Sequence, residues 1–137
     1  MRVVIDTNVL ISAIFWTGRP KQLLNKVRHR EITFITSKAL LDELKQVLVR
    51  QDKPFRLSEE EADRIVSAAR DLADIIQISS RVEICKHQND NRVLECALDG
   101  KAGYIITGDL DLLDLKSFNR IRIMTIREFL IDVLELE

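Results

Sequence analysis

Short, uninterrupted apolar and β-branched runs, separated by stripes of helical spacing, restrict the fold of this chain more than any other feature. Residues 2–5 read Arg-Val-Val-Ile, 33–36 read Thr-Phe-Ile-Thr and 104–107 read Tyr-Ile-Ile-Thr. None alternates apolar with polar, so each is expected to be covered on both faces, as strands of a parallel sheet are. The intervening patterns are helical: Val9, Leu10, Ala13 and Ile14; then Leu23, Leu24 and Val27 behind Pro20; then Leu40, Leu41, Leu44, Val47 and Leu48 behind Ser37 as a cap. Ser58 and Glu61 make a capping box ahead of Ala62, Ile65, Val66, Ala69 and Leu72, and polar 51–57 with Pro54 reads as a loop. Further strands are expected at 75–78 and 121–124, with a looser extended piece at 82–84 and a helix over 91–99 that stops at Gly100. Thr125 and Glu128 form a second capping box for a C-terminal helix carrying Phe129, Leu130 and Val133. This alternation predicts a three-layer α/β/α sandwich around a central parallel sheet, Rossmann-like in layout. With 137 residues and no internal repeat, low-complexity tract or linker, residues 1–137 are expected to form one domain.

Composition then narrows the function. The net charge is −1, from 21 basic and 22 acidic side chains. Duplex-coating proteins that bind by counterion release are more basic than this, so any nucleic-acid contact must come from a local basic surface. No apolar run approaches the roughly 20 residues of a membrane helix. The opening MRVVIDTNVLISAIFW is superficially like a signal peptide, but Asp6, Thr7 and Asn8 interrupt it and no small-residue cleavage pattern follows. Cys85 and Cys96 fit no CxxC pattern and read as reduced thiols, consistent with an expected cytoplasmic location and no membrane.

The acidic residues carry the chemistry. Asp6 directly follows Val-Val-Ile, and Asp109 follows Ile-Ile-Thr-Gly, so both emerge at the carboxyl ends of strands, where open parallel sheets bind ligands. Asp90 opens the helix before the 104–107 strand, and Glu43 lies two turns into the helix after the second strand. Carboxylates converging on one rim repel one another unless a proton or a cation intervenes. Hard oxygen donors suit Mg²⁺ or Mn²⁺, which can share coordination with substrate phosphates. Each acid also has an ordinary local explanation. Asp6 can form a turn with Asn8, Asp90 can cap its helix, Asp109 and Asp111 can turn about Gly108, and Glu43 can pair with Lys38 or Lys45. Local chemistry therefore stops at an acidic metal site on an α/β sheet.

Taken together, VVIDTNVLISAI, LLDEL, DNRVLECAL and YIITGDLDLL resemble the PIN domain, most closely the toxin components related to VapC, over residues 2 to about 127. The resemblance implies a Mg²⁺- or Mn²⁺-dependent endoribonuclease, the toxin of a toxin–antitoxin pair, acting on RNA, inhibited by an antitoxin and forming a homodimer. It places Asp6, Glu43, Asp90 and Asp109 in the catalytic set, with Asp6, Asp90 and Asp109 on the metal. Asn8, Thr107 and Asp111 are supporting residues, Thr107 by orienting a carboxylate. Relatives often carry Asp-Pro-Asp-Asp just before the position of Asn91, whereas here His87-Gln88-Asn89-Asp90 keeps only the last acid. That departure motivates the alternative of a non-catalytic PIN scaffold that binds RNA or a protein partner.

The remaining residues are weaker signals. Arg19 and Lys21 flank Pro20 near the rim and can meet phosphates; Arg50, Lys53 and Arg56 bracket the middle loop and can do the same or face an acidic antitoxin segment. Phe15 and Trp16 fit an interface or the core better than a base stack, and His29 and His87 read as surface residues. A Mg²⁺-dependent phosphotransfer domain also places an Asp after the first strand. Phosphatases of that kind want a second Asp where Asn8 stands, and the late Lys of a receiver has no counterpart.

Overall fold

The computed structural model describes residues 1–50 and 56–136. Arg2–Ile5 (β1), Thr33–Thr36 (β2), Asp74–Ile75 (β3), Tyr104–Ile106 (β4), Ser117–Phe118 (β5) and Ile121–Met124 (β6) form one sheet in the order β3-β2-β1-β4-β6-β5. Every neighbouring pair is parallel except β5–β6. The helices are Thr7–Phe15 (α1), Arg19–Arg28 (α2), Lys38–Leu48 (α3), Glu59–Leu72 (α4), Gln88–Asp99 (α5), Leu110–Leu115 (α6) and Ile126–Glu128 (α7), the last continuing into a wider-wound segment, Phe129–Val133. The expected three-layer arrangement follows from the pleat. Val3, Ile5, Phe34 and Ile106 point into a core with α1, α2, α3 and α4, while Val4, Ile35 and Ile105 point into a second core with α5 and α6. Both faces of β1 are dry, which is why its run is unbroken by polar residues.

Strand register aligns the residues that matter. Val4 lies beside Ile35 and Ile105, and Ile5 beside Ile106. The Asp6 amide therefore donates to Ile106 O at 2.9 Å, and the Thr107 amide donates to Met124 O at 3.0 Å. Both residues sit one step past their strands, on the carboxyl rim.

Several local expectations meet a different outcome. The strand expected at 75–78 ends at Ile75, because β2 ends at Thr36 and leaves nothing further to pair with; Ile76 N–H makes the last bond, to Thr36 O at 2.8 Å. The chain then runs across α5 without regular structure. The helix expected from 91 begins at Gln88 and is capped at His87 without a side-chain bond, so Asp90 is not its cap but lies within the first turn. That helix does stop at Gly100, for a reason other than a left-handed glycine. Gly100 has φ −82°, whereas Lys101 takes φ 55°. A Cβ on Gly100 would lie 2.8 Å from Cys96 O and 2.8 Å from Ile35 Cγ2, so the glycine is there for close approach of α5 to β2. The C-terminal capping box forms as expected, but regular α-helix lasts only to Glu128, and Leu134 N–H reaches back five residues to Phe129 O at 3.0 Å. Helix α6 and strand β5 were not among the sequence expectations. Lys53 and Pro54 of the expected loop fall outside the described residues.

Candidate metal centre

Asp6 caps α1 with one carboxylate oxygen and is held from β4 by the other. Oδ1 accepts the Thr7 amide at 2.8 Å, and Oδ2 accepts the Thr107 hydroxyl at 2.7 Å. The same Thr107 oxygen accepts the Asp109 amide at 3.0 Å, and Asp109 Oδ1 in turn accepts the Asp111 amide at 2.9 Å. One hydroxyl thereby ties the end of β1 to the turn after β4 and to the N-terminus of α6. Burial raises the Asp6 pKa, opposed by the bonds from Thr107 and Thr7 and reinforced by the charge on Asp109.

Asp90 approaches from α5. One carboxylate oxygen each from Asp90, Asp109 and Asp111 can be chosen so that all lie within 4.8 Å of one another. Asp90 is 6% exposed, and its Oδ2 is buried with no hydrogen-bond partner among the described residues. Its pKa is pushed up to about 7, first by burial, then by its contact with the Asp109 carboxylate and by the charges of Asp109, Asp6 and Asp111. A buried carboxylate beside other carboxylates is costly unless a proton or a cation joins it. Adjacent oxygens around Mg²⁺ stand roughly 3 Å apart and opposite ones about 4 Å, as its short bonds and octahedral geometry dictate. The three acids therefore need only small side-chain shifts to share one ion, and an all-oxygen donor set suits a hard cation. The residues fit the group that the sequence pointed to.

Glu43 completes the rim from α3. It is half-buried, and its pKa is raised by burial and by the charge on Asp6, with the Thr7 side chain opposing. Neither lysine available to it in the sequence is engaged with it: Lys38 pairs with Asp42 at 2.9 Å and Lys45 with Asp63 at 3.0 Å. The structure thus gathers Asp6, Glu43, Asp90, Asp109 and Asp111 on one rim, with Asp111 inside the tightest group and Asp6 beside it.

The other sequence candidates lie at the margins. Asn8 is exposed and lines a groove of about 360 Å³ with Val9, Ser12, Pro20, Gly108, Asp109 and Ile126. Arg19 is exposed at the start of α2 next to that groove, while Lys21 turns its ammonium onto Ile14 O at 3.3 Å. His87 and Asn89 are exposed, and Gln88 Oε1 accepts bonds from Asn91 and Arg92. His29 and Arg56 are exposed, Trp16 is half exposed and stacks edge-on against Phe15, and Cys85 and Cys96 are free thiols raised in pKa by burial. Thr7 was not among the site residues expected from the sequence. Its signal was its position, one residue past Asp6 at the first turn of α1, where a hydroxyl can serve a neighbouring helix.

An α/β/α domain with an acidic rim at the carboxyl ends of its parallel strands is the class that the fold and site define. A PIN domain family model matches residues 2–111, and the chain belongs to the PIN domain family, whose members are generally nucleases. An uncharacterized protein of Methanocaldococcus jannaschii is 32% identical over 122 residues, which cover 88% of this chain and 78% of that protein. The crystal structure of VapBC2 from Rickettsia felis, bound to a DNA fragment from the promoter, contains a chain that superposes with a TM-score of 0.63 at 16% identity, over 90% of this chain and 97% of that one. At that identity the likeness concerns the fold. Among the described residues no helix is long and apolar enough to cross a membrane.

Proposed function

We propose that this protein is a Mg²⁺- or Mn²⁺-dependent endoribonuclease and the toxin of a toxin–antitoxin pair. The observation that carries the reading is the acid group Asp90, Asp109 and Asp111, with the buried Asp90 Oδ2 among carboxylates and without a hydrogen-bond partner among the described residues. Asp90 and Asp109 would hold the ion directly, with Asp6 beside them and Asp111 available. When bound, such an ion polarises a phosphoryl oxygen and lowers the pKa of a coordinated water.

The chain's own residues supply the rest. Thr107 fixes the Asp6 carboxylate and the Asp109 backbone through one oxygen, so both acids are placed before substrate arrives. Glu43, already raised in pKa, is suited to accept a proton from the attacking water. Hydrolysis puts the water oxygen on phosphorus, breaks one ester P–O bond and leaves the departing sugar oxygen to take up a proton. Arg19 at the mouth of the groove would meet a neighbouring phosphate; Lys21, engaged with Ile14 O, must first let go to do so.

The partner proposals are an RNA substrate, an antitoxin and a second copy of this chain; the Rickettsia felis complex and the resemblance to VapC support the antitoxin. The experiment is incubation of a mixed RNA pool and a DNA pool of the same sequences with the purified protein, with Mn²⁺ or with a chelator. Metal-dependent cleavage of RNA is expected. RNA binding that ignores Mn²⁺, without cleavage, would favour the non-catalytic scaffold instead.

A further inference from the structure

Between β3 and α5 the chain has no regular structure, yet its backbone is held at regular intervals. Asn91, Glu95 and Asp99 stand four residues apart on one face of α5. Asp99 accepts the amides of Ser79 and Ser80 at 2.7 and 2.8 Å, and also the Ser80 hydroxyl. Glu95 accepts the Val82 amide at 2.9 Å while paired with Arg92. Asn91 Oδ1 accepts the Cys85 amide at 2.8 Å, and its Nδ2 donates to Cys85 O at 3.2 Å. Residues 79–85 thus run antiparallel to α5 along three polar rungs. Asn91 and Glu95 are 1% and 2% exposed, an unusual burial for such residues that this ladder explains.

The last rung differs from the other two. It binds both the donor and the acceptor of a single residue, which fixes orientation as well as distance. It also falls next to Asp90, whose Oδ2 has no hydrogen-bond partner among the described residues. At this end the rail meets the acids, since the Cys85 thiol feels the charges of Asp90, Asp109 and Asp111. At the far end Asp99 sits two turns of helix away.

We propose that Asn91 is a positioning residue: by clasping Cys85 it fixes the first turn of α5 and so aims the Asp90 carboxylate at Asp109 and Asp111. Residues 79–85 are then part of the site rather than a connecting loop. The inference rests on the reading of Asp90 as a metal ligand given above.

The test measures Mn²⁺ affinity by calorimetry, and amide hydrogen exchange along 79–85, in the wild type, Asn91→Ala and Asp99→Ala. Both variants are expected to lose protection at their own rung. Asn91→Ala is expected to weaken Mn²⁺ binding by roughly 10- to 100-fold, the usual effect of removing a group that orients a ligand. Asp99→Ala is expected to keep Mn²⁺ affinity within about twofold, although it too loosens the rail; a purely structural ladder would move both variants alike. Should Asn91→Ala not fold, Asn91→Ser removes the two-point clasp with less loss of side chain. Wild-type affinity in the Asn91 variant, or equal losses in both, would overturn the proposal while leaving the metal site intact. A wild-type protein that takes up no Mn²⁺ would overturn the functional reading, and this inference with it.

Discussion

Thr107 donates its hydroxyl hydrogen to Asp6 Oδ2 at 2.7 Å across 101 residues of sequence, and through a lone pair on the same oxygen accepts the amide of Asp109. The bond is possible because β1 and β4 are parallel neighbours in a register that leaves Asp6 and Thr107 side by side, one step past their strands. Thr107→Val keeps the shape and removes the hydroxyl. The variant is expected to lose about 1–3 kcal/mol of stability, because a buried carboxylate oxygen and an amide lose their partner. Denaturant unfolding checks that figure. Calorimetry should show Mn²⁺ affinity falling roughly 10-fold or more; an unchanged affinity would mean that Thr107 does not orient the acids.

Asp90 sets a pH dependence whose sign follows from its raised pKa. With a folded-state value near 7 against 3.8 for the free carboxyl, the folded protein holds a proton that the unfolded chain has already released. Stability without metal therefore falls as pH rises from about 4 to about 7, and the loss is complete above that window. Melting in chelator at pH 5 and pH 8 should show a lower Tm at the higher pH, and Mn²⁺ should restore it by binding the ionised form. Asp90→Asn should flatten this dependence and abolish the Mn²⁺ effect together. A chelated wild type equally stable at both values would contradict the account.

Much of this site was legible in the sequence, and the reasons are specific. Asp6 and Asp109 each follow a run too apolar to be anything but a buried strand, so their place on the carboxyl rim follows from the parallel sheet alone. Glu43 was legible as an acid among the apolar positions of α3. What could not be read was which acids come closest. The grouping of Asp111 with Asp90 and Asp109 depends on α6, a six-residue helix capped by Asp109 that is too short to carry a periodic signal. The rail at 79–85 was illegible for a related reason: its backbone is satisfied by side chains on α5, and a pattern of Ser, Val and Cys does not announce that. Strand β3 looked longer in sequence than it is, because Ile76 and Ile78 are apolar through packing against the α5 core, while only the Ile76 amide still reaches β2.

Glu43 separates proton transfer from metal binding. Glu43→Gln keeps the size and polarity of the side chain but cannot take a proton. Cleavage with saturating Mn²⁺ is expected to slow by about 100-fold or more while the Mn²⁺ affinity set by Asp90 and Asp109 changes little. Single-turnover cleavage of one RNA oligonucleotide measures the rate directly. A rate within a factor of a few of the wild type would remove Glu43 from the mechanism.

Gly100 offers a control far from the chemistry. Gly100→Ala places a methyl 2.8 Å from Cys96 O and Ile35 Cγ2, so backbone and strand must part. A loss of about 1–3 kcal/mol is expected from such overpacking, with no change in Mn²⁺ affinity once the protein is folded. A neutral or stabilising substitution would show that α5 can shift on β2 without cost.

Asp6→Asn decides the proposal that the acidic rim makes this chain a metal-dependent ribonuclease. Asparagine keeps the size of the side chain and one of the two oxygens that accept from Thr7 and Thr107, and it removes the charge. With Mn²⁺ and a mixed RNA pool, the wild type is expected to cleave and Asp6→Asn to leave the pool intact, while both melt cooperatively. Equal cleavage by the two proteins would contradict the account.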